Sequence, residues 1–210
     1  MPQPPFRVPP SAPARLVVLA SGTGSLLEAL VSAAVGDYPA RVVAVGTDRT
    51  CRALEIAEDA GLPSFRLRVA DHADRTAWDA ALTAAVAEHE PDLVVSAGFM
   101  KILGPQFLER FHGRVVNTHP ALLPAFPGAH AVADALEHGV RVSGCTVHLV
   151  DSGVDTGPIL AQQAVPVRDD DTEETLHERI KTAERALLVD VLAALATRGL
   201  TWSGRKAILG

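Results

Sequence analysis

Short apolar runs rich in valine alternate with helical segments along the first half of this 210-residue chain, and that alternation restricts the fold more than any other feature. RLVVLA (15–20), ARVVAVGTD (40–48), SFRLRV (64–69), DLVVSAG (92–98) and RVVNTH (114–119) have strand length and turn residues at their ends. Between them, SLLEALVSAAV (25–35) places Leu26, Leu30 and Ala33 at helical spacing, and RALEIAEDAG (52–61) ends on Gly61. DRTAWDAALTAAVAEHE (74–90) reads as a helix with Trp78, Leu82 and Ala85 on one side. The order predicts an α/β fold with an open, doubly wound, mostly parallel sheet. Sheets of this kind bind ligands in the crevice at the carboxyl ends of their strands.

The second half breaks the alternation. After a short helix (130–139), GCTVHLVD (144–151) and PILAQQAVPV (158–167) read as strands joined by SGVDTG, too short a link for a helical crossover. An antiparallel pair is therefore expected late in the sheet. A long amphipathic helix (172–196) follows, with Leu176, Ile180, Ala183 and Leu187 inward and TEET in the form of a capping box at its start. No repeat or linker divides residues 15–210, which are expected to form a single domain. Residues 1–14 carry six prolines and no apolar signal core, and read as a flexible or polyproline-like tail.

A net charge of −6 argues against nucleic acid as a partner, and no apolar run has the length of a membrane span. The two cysteines, Cys51 and Cys145, are far apart and form no CxxC, so neither a disulfide framework nor a zinc site is expected. A reducing cytoplasm suits that usage.

Two strand ends carry chemistry. The turn SGTGS (21–25) joins the first strand to a helix, and backbone N–H groups there would hold an anion, most economically a single phosphate. Leu27 stands where a dinucleotide fingerprint needs its third glycine, and no Lys-Ser/Thr pair makes a P-loop. A tight turn that binds nothing is the equal alternative. In VVNTHP (115–120), Asn117 and His119 lie two apart in an extended segment and so face one side. An amide that donates to an oxyanion beside an imidazole that moves protons suits addition to a carbonyl. Asp155, in the Gly-flanked turn of VDTGPIL (154–160), can orient and charge His119. Taken singly, Asn117 and His119 also read as turn ties, and Asp155 as an Asx-type turn residue. No GxSxG elbow is present, so direct transfer is expected over a covalent intermediate.

Four blocks in order, SGTGS, AGFMKIL, NTHPALLPAFPGAHAVADALEHG and SGCTVHLVDSGVDTGPILAQ, resemble the glycinamide ribonucleotide formyltransferases, folate-dependent enzymes of purine synthesis. The resemblance runs from about residue 15 to about residue 200 and implies a Rossmann-like formyltransferase fold. It implies 10-formyltetrahydrofolate as co-substrate, glycinamide ribonucleotide as acceptor and no metal. Catalysis would fall to Asn117, His119 and Asp155. The ribonucleotide would be held at Gly24, Ser25, Leu26 and Glu184, although Leu26 replaces the family's Asn and offers no side-chain hydrogen bond. The folate would lie against Arg75, Met100, Lys101, Ile102, Leu103 and Asn117, with Lys101 where the family often has Arg. A cytoplasmic monomer or homodimer is expected.

Three rival readings remain within reach of these residues. A formyltetrahydrofolate hydrolase and a methionyl-tRNA formyltransferase share the catalytic half, but each is expected to bring a further domain. A noncatalytic binding module on the same fold would separate Asn117, His119 and Asp155 in space. The apolar, proline-rich loop 120–128 is expected to cover the crevice and exclude water from a reactive formyl group.

Overall fold

The computed structural model describes residues 13–210, so all but the last two positions of the expected tail lie outside the described residues. Ala14, assigned from sequence to the tail, is fully buried and opens the first strand.

Five strands form the parallel part of the sheet: β1 (Ala14–Ala20), β2 (Ala40–Thr47), β3 (Ser64–Arg66), β4 (Leu93–Ser96) and β5 (Val115–His119), in the spatial order β3-β2-β1-β4-β5. β6 (Val142–Leu149) pairs antiparallel with β5, and β7 (Ile159–Pro166) pairs antiparallel with β6. A C-terminal hairpin, β8 (Leu200–Ser203) and β9 (Lys206–Leu209), attaches to β7 through β9. The expected fold class is therefore the observed one. The hairpin was not anticipated, although Ser203-Gly204 between two short runs is a turn signal.

Both faces of the parallel part are covered, which explains its unbroken valine runs. Along β1, Leu16, Val18 and Ala20 pack beneath α1 (Ser25–Ala33), α2 (Arg52–Asp59) and the distal part of a 26-residue helix, α6 (Glu173–Arg198). Val17 and Leu19 pack on the other side against α3 (Arg75–Ala87) and α4 (Pro105–Arg110). The six-residue α4, begun by Pro105 at its first turn, is too short to show a period in sequence. In α3 the buried stripe is Trp78, Asp79, Leu82, Thr83 and Val86, with Ala85 on its margin. A third cluster joins α5 (Ala131–Glu137) to β6, β7 and the start of α6.

The capping box at the start of α6 is present, with Thr172 and Thr175 each bonding the other's backbone N–H. The helix buries Leu176, Ile180, Glu184 and Leu188 at four-residue steps, while Ala183 and Leu187 sit on the flank. Each fully buried Leu or Ile of this stripe stabilises the fold by about 1.5–3 kcal/mol. A glutamate in the middle of it opposes that trend and marks a site.

After β1 the chain winds outward through β2 and β3, then returns to β4 on the other side of β1. The loops leaving β1 and β4 diverge, and the crevice between them is the topological switch point at which such sheets bind ligands.

Candidate active site

A cavity of about 560 Å³ opens at this switch point. The turn after β1, the loop 97–103 after β4, the end of β5, the β6–β7 connection and one stripe of α6 form its walls. β5 divides it. Val116 packs on the α1/α6 side and Val115 on the α3/α4 side, so the alternation sends Thr118 towards α6 and Asn117 and His119 to the opposite face.

On the α6 side, the first intrahelical hydrogen bond of α1 is Glu28 N to Gly24 O, 2.8 Å, so the amides of Ser25, Leu26 and Leu27 precede the ladder. No side chain caps this end. Gly24 has φ +72°, and a Cβ there would meet Ile56 Cδ1 at 2.7 Å, so only glycine fits the turn. Gly24, Ser25 and Leu26 all line the cavity, but the Leu26 side chain is 9% exposed and belongs to the core. Only its backbone is available to an anion. Facing this turn are His177, Lys181 and Glu184. Glu184 is 5% exposed. Burial pushes its carboxyl up to about 7, against the opposing hydrogen bond from Thr118 and the charges of Lys181 and Arg185. His177 is half-buried on the cavity wall, where burial and then Lys181 hold its imidazole below the ordinary value.

Across β5, the three residues expected to carry the chemistry converge. His119 is 4% exposed, and its Nδ1 lies 3.3 Å from Asp155 Oδ2. Its Nε2 lies 2.7 Å from the Phe126 carbonyl. The Asp155 carboxylate and the Phe126 carbonyl thus face the two ring nitrogens. Asp155 adopts φ +54°, a conformation uncommon for a residue with a side chain, and accepts from Gly128 N at 2.8 Å. Burial raises its carboxyl, but His148, the Gly128 N–H and the charge of His119 together hold it below the usual range.

His148 was not singled out from sequence. It stands opposite Asn117 in the β5–β6 ladder, 2% exposed, with Nε2 3.1 Å from Asn117 Nδ2 and 3.6 Å from Asp155 Oδ1. Its Nδ1 lies 2.8 Å from the Leu149 carbonyl, which requires an N–H there. The Nε2 contact holds one end of the Asn117 amide group and leaves its second N–H for a ligand.

The loop after β4 presents Met100 and Ile102 with their side chains 62% and 69% exposed, with Lys101 between them. Leu103 is 7% exposed and packs into the core below. Arg75 departs from its expected place, because it does not line the cavity. Its guanidinium lies over the Trp78 ring, and its Nη2 donates to the Ile102 carbonyl at 2.5 Å. It holds the loop from behind.

The loop 120–128 also departs from expectation. Ala121 and Leu123 are buried beneath it rather than poised over the crevice. Thr146, fully buried, donates to Ala121 O and accepts from Leu123 N, and Gln162 donates to Leu123 O. Only the part from Phe126 to Gly128 touches the reactive cluster, through the Phe126 carbonyl and the Gly128 N–H.

Relatives match nearly the whole chain. A phosphoribosylglycinamide formyltransferase of Mycobacterium tuberculosis is 74% identical over 208 residues, which cover 99% of this chain and 97% of the relative. The crystal structure of glycinamide ribonucleotide transformylase 1 from Symbiobacterium toebii superposes with a TM-score of 0.91 at 42% identity, covering 93% of each chain. A formyltetrahydrofolate deformylase of Pseudomonas syringae superposes at 0.88 with 26% identity, covering 95% of this chain and 66% of that one. The resemblance carried by the four sequence blocks therefore holds. Residues 14–192, from the first strand through most of α6, match the formyl transferase model, and the chain belongs to that family.

Proposed function

We propose that the chain transfers the formyl group of 10-formyltetrahydrofolate to the amine of glycinamide ribonucleotide, a step of purine biosynthesis. The observation that carries the chemistry is the convergence of Asn117, His119 and Asp155 at the cavity, with His119 Nδ1 3.3 Å from Asp155. The ribonucleotide occupies the α6 side. Its phosphate meets the amides at Gly24, Ser25 and Leu26, and Glu184 receives the glycinamide portion. The folate occupies the other side, with its pterin against Met100–Leu103 and its formyl group beside Asn117.

The amine lone pair attacks the formyl carbon, and the carbonyl π electrons move to oxygen. The free N–H of Asn117 donates to that oxyanion. A substrate oxygen reaches His119 Nε2–H by replacing the Phe126 carbonyl. The bond from carbon to N10 of the folate then breaks, the amine loses one proton, and N10 gains one. Asp155 keeps His119 charged and passes the proton along this path. Atoms and charge balance without a covalent enzyme intermediate. The enzyme acts in the cytoplasm as a monomer or homodimer, without nucleic acid or membrane as a partner.

Water in place of the amine would give the hydrolase reaction, and the structural likeness to a deformylase keeps that reading in view. Following tetrahydrofolate release with and without glycinamide ribonucleotide separates the two. Release that requires the ribonucleotide establishes the transferase. Release in its absence establishes the hydrolase, and none in either condition overturns both.

A further inference from the structure

The loop 97–104 poses a mechanical problem. It projects Met100 and Ile102 into the cavity rather than into the core, so burial of those side chains does not hold it in place. Ala97, Phe99 and Leu103 anchor the loop in the core on either side, and polar ties hold the stretch between and after them. Met100 N donates to Ser21 Oγ at 2.9 Å, Arg75 donates to the Ile102 carbonyl, and Gly104 N and Gln106 N donate to the buried Asp79 carboxylate at 3.1 and 2.9 Å.

One tie differs in kind. Asp48 follows directly after β2 and is 5% exposed. Its Oδ2 lies 3.0 Å from Lys101 Nζ and 3.0 Å from Arg49 Nη2. It also shares a hydrogen bond with Ser21, the residue that receives the Met100 N–H. Asp48 therefore reaches two successive residues of the loop, one through a side chain and one through a relay. Burying a carboxylate costs several kcal/mol, and apolar residues of similar volume usually stabilise a core as well. What an ion pair adds is a fixed geometry. Arg49 is half-exposed and reaches no part of the cavity wall, whereas Lys101 is part of that wall.

We propose that Asp48 is a positioning residue for the folate half of the cavity: through Lys101 and Ser21 it fixes residues 100–102, against which the pterin-bearing substrate lies. This rests on the folate reading of the site given above. Burial raises the Asp48 carboxyl, but the hydrogen bonds from Arg49, Ser21 and Lys101 outweigh it and bring it to about 2. The tie is thus charged throughout the neutral range, and it spends the Lys101 charge inside the protein. The lysine stem, rather than its ammonium, is what the substrate meets.

The test is tetrahydrofolate binding by calorimetry to wild type, Asp48→Asn, Lys101→Met and the double variant, with kcat and both KM values alongside. Asp48→Asn is expected to raise the Kd for tetrahydrofolate and the KM for 10-formyltetrahydrofolate about tenfold, with the KM for the ribonucleotide within about twofold. The double variant is expected to be no worse than the poorer single one, because both break the same tie. An unchanged Kd in folded Asp48→Asn overturns the proposal, and so do additive losses in the double variant. If Asp48→Asn does not fold, Lys101→Met decides alone, and an unchanged Kd overturns the proposal there too. Tetrahydrofolate binding needs no acceptor. A wild type that binds it yet transfers nothing would therefore sink the transferase reading and leave this one standing.

Discussion

His148 stands directly across the β5–β6 ladder from Asn117, and its Nε2 lies 3.1 Å from the Asn117 amide nitrogen. The pair sets which way the Asn117 amide points, and the Leu149 carbonyl in turn sets the His148 tautomer. Replacing His148 with Ala is expected to lower kcat by roughly ten- to a hundredfold, because the amide loses its fixed orientation. His148→Gln, which can still accept from Asn117, should recover part of the loss. Equal kcat in wild type and His148→Ala would show that the pairing orients nothing.

His119→Ala is expected to reduce turnover by roughly 10²–10⁴-fold, the range of a lost general acid–base group. Asp155→Asn should reduce it severely as well, since the amide cannot keep the ring charged. Circular dichroism and thermal melting should show both variants folded. Turnover near that of wild type in His119→Ala would end the assignment.

Glu184 gives stability a pH dependence of defined sign. Its carboxyl is raised from 4.5 to about 7, so the folded state holds the proton more tightly than the unfolded chain does. This contribution is fully present below 4.5 and is lost as the pH rises through about 7. Urea unfolding of wild type should therefore show a component that weakens across this window, and Glu184→Gln should remove it. A variant whose pH profile parallels that of wild type would contradict the burial argument. The KM for the ribonucleotide should rise in the same variant.

Gly24→Ala and Leu26→Asn separate backbone from side chain at the start of α1. The first is strained at φ +72° and pushes a methyl group towards Ile56, so the KM for the ribonucleotide should rise about tenfold or more. The second removes an apolar side chain from the core and should cost about 2 kcal/mol of stability, while the same KM stays within about twofold. Tighter ribonucleotide binding by Leu26→Asn would mean that the amides alone do not suffice.

Features set by neighbours in sequence were legible in advance. The valine runs, the Thr172–Thr175 cap and the two-residue spacing of Asn117 and His119 are local, and the sheet, the helix start and the shared face follow from them. His148 was not legible, because within GCTVHLV it is one more residue of a buried strand, and its partner lies 31 positions away. Asp48 and Lys101 meet only through the fold, between the ends of strands that are not sequence neighbours. Arg75 was assigned to the cavity by resemblance, but its cation finds a carbonyl behind the loop. Glu184 did have a signal: it continues the four-residue step of Leu176 and Ile180, which places a carboxylate among apolar side chains.

The alternation along β5 also limits how this molecule can change by insertion or deletion. β5 is hydrogen-bonded on both edges, parallel to β4 and antiparallel to β6. Losing or gaining one residue within it would exchange its two faces, handing Thr118 to the formyl donor and turning Asn117 and His119 towards α6. Every atom of the proposed catalytic set would survive in the chain, and the two reactants would meet no catalyst between them. Length variation should therefore be forbidden in the five residues of Val115–His119.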